Sequence, residues 1–336
     1  MVPPTVNPAY DYEYFKTISK LDEENERTLK STIDVYRKLG AILTFDCTPF
    51  FENNVPRFGE ICSFSASGGA VYVNSVLGAR TNREAAQSAM CAAITGVTPE
   101  YGLLLEQNRA GDVLIQVEAD VDSEYDYELL GYITPKKMGQ AYHCPVFNGL
   151  SKQTTSEQLM DLGTQLNIHG IVPMFHVVGV TPEAADVHTA FLGRKDPPVV
   201  TITNEDLAQA RAEISAGTGK ADFCILGCPH LTINQVGSIA KMLDGQQLAG
   251  QLYIFTSTST KELAQRMGYL DIIHKAGGEI VINSCVDQPC WSHLYGMSGV
   301  TESPKCAYYT KRWNMTFTVK SIPACIQSVL KGEIVS

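Results

Sequence analysis

The pattern from Val113 onward constrains this chain most. Apolar β-like runs alternate there with helical stretches: VLIQVEA, a helix near 125–130, a run near 144–147, the helix SEQLMDLGTQLN and the run GIVPMFHVVGV. After them come PPVVTIT, NEDLAQARAEIS, DFCILG, TINQVGSIAKML, QLYIFT, TKELAQRMG and EIVIN. Alternation at this spacing calls for helical crossovers between strands that run the same way, which means an α/β fold with parallel sheets. Ahead of it, DEENERTLKSTIDVYRKLG reads as an amphipathic helix, acidic early and with Lys38 before a Gly40 stop. AILTF reads as a strand, CSFSASGGAVYVNSV mixes small residues with a β-run, REAAQSAMCAAITG reads as a helix, and SIPACIQSVLKGEI as a closing helix. The expected division is a first α/β lobe over 1–112, a second α/β region over 113–284, and a C-terminal segment over 285–336 that returns to the site.

The 336 residues allow two or three lobes with a substantial core, and 44% hydrophobic with 18% charged residues describes a globular chain. A net charge of −10 argues against a nucleic-acid or membrane-surface role, since either needs a basic face. No apolar run is long enough to span a bilayer, and MVPPTVNPAYDYEYF lacks a signal-peptide pattern. Ten cysteines without a secretion signal point to reduced thiols or metal ligands in the cytoplasm or another reducing compartment. The default expectation for most of them is burial as small hydrophobes.

Three of the ten close hydrophobic runs: AILTFDC at Cys47, ADFCILGC at Cys228 and EIVINSC at Cys285. Ligands collect at the carboxyl ends of strands in α/β proteins. Three thiolates there would hold an iron–sulfur cluster with one iron left open, as a catalytic Lewis acid requires. Spacing alone favours three ordinary buried cysteines over a cluster. Cys290, five residues past Cys285, is a substitute ligand candidate, and a single divalent metal helped by His230 is another arrangement.

NSVLGARTNRE, residues 74–84, places Asn74, Ser75, Arg80, Thr81, Asn82 and Arg83 on a donor-rich turn entering a helix. Such a turn suits a carboxylate, which arginine binds in bidentate fashion, although solvated arginines at a helix start read equally well. FHVVGVTPEA carries His176, an acid–base candidate whose bland reading is a hydrogen-bonded core histidine. TESPKCAYY offers Ser303 and Lys305 to an anionic substrate and otherwise reads as a loop with a lysine.

Together these segments resemble the catalytic part of aconitase X, a dehydratase branch of the aconitase superfamily. The matching runs stand in order over nearly the whole chain: VPPTVNP, DCTPFF, NSVLGARTNR, TPEYG, FHVVGVTPEA, GCPHL, SCVDQPC, SPKCAYY and PACIQSVLKGE. The resemblance implies an aconitase-like multi-lobe fold around a deep cleft, and a [2Fe–2S] or [4Fe–4S] cluster on Cys47, Cys228 and Cys285. It places Asn74, Ser75, Arg80, Thr81, Asn82 and Arg83 near substrate; together with Ser303 and Lys305 as anion contacts and His176 as an acid–base group, the expected catalytic groups are Ser75, Arg80, His176 and Lys305.

It also implies a hydro-lyase acting on a small hydroxy acid. Cis-3-hydroxy-L-proline, giving Δ1-pyrroline-2-carboxylate, is preferred over phosphomevalonate because no further basic cluster is visible for a phosphate. The family's swivel domain, whose serine is the expected base, has no counterpart in the sequence, so a small swivel subunit is the expected partner. The segment usually preceding VPPTVNP is missing. The usual Asp-Thr-Cys is Asn283-Ser284-Cys285, and the usual Ser-Gly-Lys is Ser303-Pro304-Lys305, where proline removes an N–H. These departures motivate two rivals: a divergent relative acting on another acid in specialised metabolism, and a non-catalytic cluster-binding partner.

Overall fold

Among the described residues, nine strands, all paired in parallel, form two sheets. The structure is a computed structural model describing residues 2–335, and these fall into two units. Each unit is built around one sheet.

The first unit is essentially Pro49–Glu213. Its sheet has the order β3-β2-β1-β4, from β1 (Val113–Val117), β2 (Pro145–Asn148), β3 (His176–Val177) and β4 (Val199–Ile202). Val113 and Ile115 of β1 are fully buried, as strands covered by helical crossovers require. The helices Glu124–Met138 and Ser156–His169 each start with a reciprocal capping box, Ser123 with Asp126 and Thr155 with Gln158. They pack closely at Gly131, where a Cβ would lie 2.6 Å from the Leu162 carbonyl oxygen.

The second unit joins Pro3–Thr48 to residues 214–335. Its sheet has the order β7-β6-β5-β8-β9, from β5 (Phe223–Leu231), β6 (Gln251–Thr256), β7 (Gly278–Val281), β8 (Ser298–Thr301) and β9 (Thr316–Val319). One face buries Leu226, Ile239 and Ile254 under helices; the other buries an aromatic group of Phe15, Phe223, Phe255 and Trp291. Residues 113–284 thus supply β1–β4 to one sheet and β5–β7 to the other. Residues 1–112 contribute to both units.

Several segments differ from the sequence expectation. AILTF forms no strand; it makes a single bridge between Ile42 and Thr5. The segment beside it, Pro3–Pro4, lacks the N–H groups a ladder needs, and Phe45 turns out of extended backbone at φ 44°. The β-run AVYVN lies inside the helix Ser67–Ser75, buried from Gly69 to Ser75, so its continuous apolarity reflects burial and not a strand. In GIVPMFHVVGV only His176–Val177 pairs, because Pro173 cannot donate and the N–H groups of Val180 and Thr181 fold back onto Val177 O. SPKCAYY is a helix, Pro304–Tyr309, not a loop. The strands β8 (Ser298–Thr301) and β9 (Thr316–Val319) have no counterpart in the sequence expectation.

Candidate functional site

In the second unit β5 is followed by β6 and β7 on one side, while β8 and β9 lie on the other. The winding reverses between β5 and β8, the place where an open parallel sheet leaves room for a ligand at its carboxyl edge. Cys228 lies there. Its strand pairs with β6 from Phe223 to Leu226 and again at Leu231, so the residues between bulge out of the ladder. Gly227 makes the bulge possible: its φ is +109° and a Cβ would sit 2.3 Å from Phe255 O.

Glu302 directly follows β8, and its Oε1 accepts the N–H groups of Gly227 at 2.6 Å and Cys228 at 3.2 Å. Ser303 caps the next helix by accepting the Cys306 N–H at 3.2 Å. Pro304 occupies that helix's first turn, where its missing N–H has no helical partner to lose. The substitution for glycine in Ser-Gly-Lys is therefore locally compatible with a well-formed helix start.

The other two cysteines reach the same edge. Cys285 lies shortly after β7; its N–H donates to Ala9 O at 2.8 Å and its Sγ accepts the Asp287 N–H at 3.4 Å. Asn283 takes the left-handed backbone at φ 58°, a conformation asparagine tolerates better than most residues. Cys47 Sγ accepts the His230 N–H at 3.3 Å. All three cysteines are half-buried, as is Cys62, whose thiol donates to Arg80 O, whereas Cys144, Cys224, Cys290, Cys306 and Cys325 are buried and Cys91 is exposed. Cys290 belongs to the aromatic core with Trp291.

The three sulfurs are close enough to influence one another's ionisation. Burial pushes the Cys228 thiol up, and negative charge at Cys285 and Cys47 pushes it further, while the Lys305 ammonium pulls it down. Cys285 is also raised by burial, partly offset by the Asp287 N–H. A bound metal ion would compete with these protons and favour the thiolates. The donor set of three convergent sulfurs, two of them accepting backbone N–H groups, fits an iron–sulfur group.

His230 and Asp46, both nearly fully buried, form a pair at 2.9 Å. Asp46 Oδ1 also accepts the Thr48 N–H and hydroxyl, whereas Oδ2 is buried with no hydrogen-bond partner among the described residues. His230 Nε2 lies 2.8 Å from Ser284 O; a carbonyl only accepts, so this nitrogen carries a proton. Burial opposes charging His230, but the Cys47 sulfur and the Asp46 carboxylate outweigh it and raise its pKa well above the usual histidine value. Burial likewise works against the Asp46 carboxylate, yet His230 holds it below its ordinary range. The two shifts agree on an imidazolium–carboxylate pair. Asp46, Cys47 and His230 place ligand-type atoms within 4.8 Å of one another.

The polar turn belongs to the first unit. Asn74, Ser75 and Thr81 are buried and bonded internally. The Asn74 amide donates to Thr81 O at 2.8 Å and Pro173 O at 3.1 Å, and its oxygen accepts the Thr81 N–H at 3.0 Å. Ser75 Oγ accepts the Phe175 N–H at 2.9 Å. Asn82 receives the Leu103 N–H and donates to Tyr101 O. Arg80 donates to Leu104 O at 3.1 Å and pairs with Glu106; the exposed Arg83 donates to Asn167 at 2.8 Å. His176 is buried, with Nε2 donating to Arg109 O at 2.8 Å and Nδ1 without a hydrogen-bond partner among the described residues; burial lowers its pKa.

Sequence reasoning did not single out Arg109, Asp46 or Glu302. Arg109 is 2% exposed, pairs with Glu183 through Nε at 2.8 Å, and donates to Asn74 Oδ1 and O and to Leu103 O. The signal for Asp46 was its place beside Cys47 in FDCTPFF; nothing local marks Arg109 or Glu302.

A parallel α/β chain whose second sheet gathers three cysteines at its reversal point offers a candidate thiolate metal site. Family models describe residues 1–107 as the aconitase X first domain, 111–212 as the second and 221–331 as the third. The phosphomevalonate dehydratase large subunit of Thermococcus kodakarensis is 34% identical over 91% of this chain and 78% of that protein. The cis-3-hydroxy-L-proline dehydratase of Pseudomonas aeruginosa is 34% identical over 76% of this chain and 45% of its own length. The crystal structure of Thermococcus kodakaraensis aconitase X in its holo form superposes with a TM-score of 0.84 at 31% identity, covering 98% of this chain and 81% of that one. The chain belongs to the aconitase X family. It is an enzyme of the hydro-lyase class, as its relatives are named dehydratases.

Proposed function

We propose that this chain is the cluster-bearing large subunit of a dehydratase that removes water from a small β-hydroxy acid. The observation that carries the reading is the convergence of Cys47, Cys228 and Cys285 at the carboxyl edge of the second sheet, within electrostatic reach of one another. These residues would hold a [2Fe–2S] or [4Fe–4S] cluster, which supplies a Lewis-acidic iron to assist hydroxide departure.

The chain's own groups prepare the chemistry. Glu302 holds the backbone that carries Cys228, and Lys305 places positive charge near that sulfur. Arg80 and Arg83 are the proposed carboxylate clamp, with Arg80 exchanging its exposed Glu106 partner for the substrate. Holding the carboxylate orients the adjacent C–H for removal. The base is assigned to a separate small swivel subunit, in keeping with relatives named large subunits.

Cis-3-hydroxy-L-proline and phosphomevalonate both carry the hydroxyl β to the carboxyl carbon, so one elimination serves either. Alignments with large subunits named for phosphomevalonate run over 91–99% of this chain, against 76% and 88% for the hydroxyproline enzymes. Phosphomevalonate is accordingly assayed first, and cis-3-hydroxy-L-proline second.

The test is anaerobic purification with iron and sulfide determination and a visible spectrum, followed by both assays with a candidate small subunit. Brown protein that dehydrates one substrate supports the reading. Colourless protein that cannot be reconstituted overturns it in favour of a lone metal or a non-catalytic role.

A further inference from the structure

Beside the three cysteines stands one side chain that touches every loop bearing them. His230 is two residues beyond Cys228 on β5, and its N–H donates to Cys47 Sγ across 183 residues of sequence. Its ring turns one nitrogen to Asp46, the residue before Cys47, and the other to the carbonyl of Ser284, the residue before Cys285. Both partners are anchored in turn. Asp46 Oδ1 accepts from Thr48, and Ser284 bridges to Ala9 while its hydroxyl accepts the Asp11 N–H at 2.9 Å.

We propose that His230 is a positioning residue, a tie whose two ring nitrogens set the spacing of the Cys47, Cys228 and Cys285 loops before any metal enters. The inference rests on the cluster reading above and deepens it. Three thiolates brought together repel one another, and the backbone links these loops only sparsely, through the His230 N–H to Cys47 Sγ and through the segment carrying Val6 and Ala9, which meets Asp46 and Cys285. A rigid, buried ring bonded to the residue before two ligands, and close in sequence to the third, supplies a further constraint that ties all three. With both nitrogens engaged, the ring serves as a brace and not as a ligand. Groups that orient metal ligands in this way typically change metal affinity about 10- to 100-fold when removed.

The variants His230→Gln, His230→Asn and His230→Ala separate the two bonds. The glutamine amide can reach toward Ser284 O, the asparagine amide toward Asp46, and alanine reaches neither. Two readouts need no turnover: the rate at which reconstituted protein loses iron to a chelator, and Co2+ titration of the apo-protein followed by its thiolate-to-cobalt charge-transfer band.

The expected result is iron loss and Co2+ dissociation about tenfold or more greater in His230→Ala, with the amide variants intermediate. The charge-transfer intensity per bound cobalt should be unchanged, since all three thiolates remain. Wild-type rates and affinity in all variants would overturn the proposal. So would equal losses in all three with a matching fall in apo-protein melting temperature, which would make the role one of general packing. If His230→Ala does not fold, the two amide variants decide. Wild-type protein that binds neither iron nor Co2+ would refute the three-cysteine site itself, a result distinct from failure of the tie.

Discussion

At the scale of single residues, Cys47, Cys228 and Cys285 differ from the other cysteines in standing at the carboxyl edge of the second sheet, and substitution should separate them. Cys47→Ser, Cys228→Ser and Cys285→Ser are each expected to lose bound iron, while Cys91→Ser, on the surface, and Cys144→Ser, in a core cluster, retain it. Iron analysis of the five purified variants checks this, and equal retention in both groups would rule out the ligand set. Arg109 allows a second prediction. Its guanidinium is buried against Glu183 and the backbone carbonyls of Asn74 and Leu103, so Arg109→Ala leaves a carboxylate and several acceptors unpaired. We expect a loss of about 3–5 kcal/mol in denaturant unfolding. Arg80→Ala, at a partly exposed pair, should cost far less stability and show its effect in substrate use.

At the scale of elements, the first unit depends on how closely two helices approach. Alanine is the better helix former, so Gly131→Ala would stabilise an isolated helix. Here the added methyl meets Leu162 O at 2.6 Å and Gln165 Cβ at 2.9 Å, and neither the backbone nor the buried neighbour can move far. The variant is expected to lose about 1–3 kcal/mol by overpacking. A melting temperature at or above wild type would show that the helix pair is free to separate. The polar turn teaches a related lesson. Asn74, Ser75 and Thr81 read as ligand-binding groups because they are donors and acceptors in a short run, and in the structure the same groups hydrogen-bond buried backbone. Sequence reports hydrogen-bonding capacity; only the folded surroundings determine what uses it.

At the scale of the whole molecule, pH should act on stability through His176. Burial depresses its folded pKa below the ordinary 6.5, despite the helpful Arg109 carbonyl. The unfolded chain therefore takes up a proton near pH 6.5 that the folded chain refuses. Stability from this residue is fully present above that pH and declines as pH falls toward the depressed folded value, by at most about 1.4 kcal/mol per pH unit. In chemical denaturation between pH 7.5 and 5, His176→Gln should show a shallower acid decline than wild type. An unchanged slope would assign the decline to other groups. Among the described residues no helix is long and apolar enough to cross a membrane.

The sequence alone determined the parallel α/β class, because strand and helix periodicities are local properties written into consecutive residues. Its motif order also pointed to the family, and the cysteine-ended runs to a thiolate site. The tertiary structure alone decided that β8 lies beside β5, which puts Glu302 and Lys305 near Cys228. It likewise decided that AVYVN is a buried helix, and that one imidazole reaches both Asp46 and Ser284. Those outcomes depend on contacts between residues far apart in the chain, whose geometry no local pattern encodes, and on burial, which turns the same side chains from surface donors into internal partners.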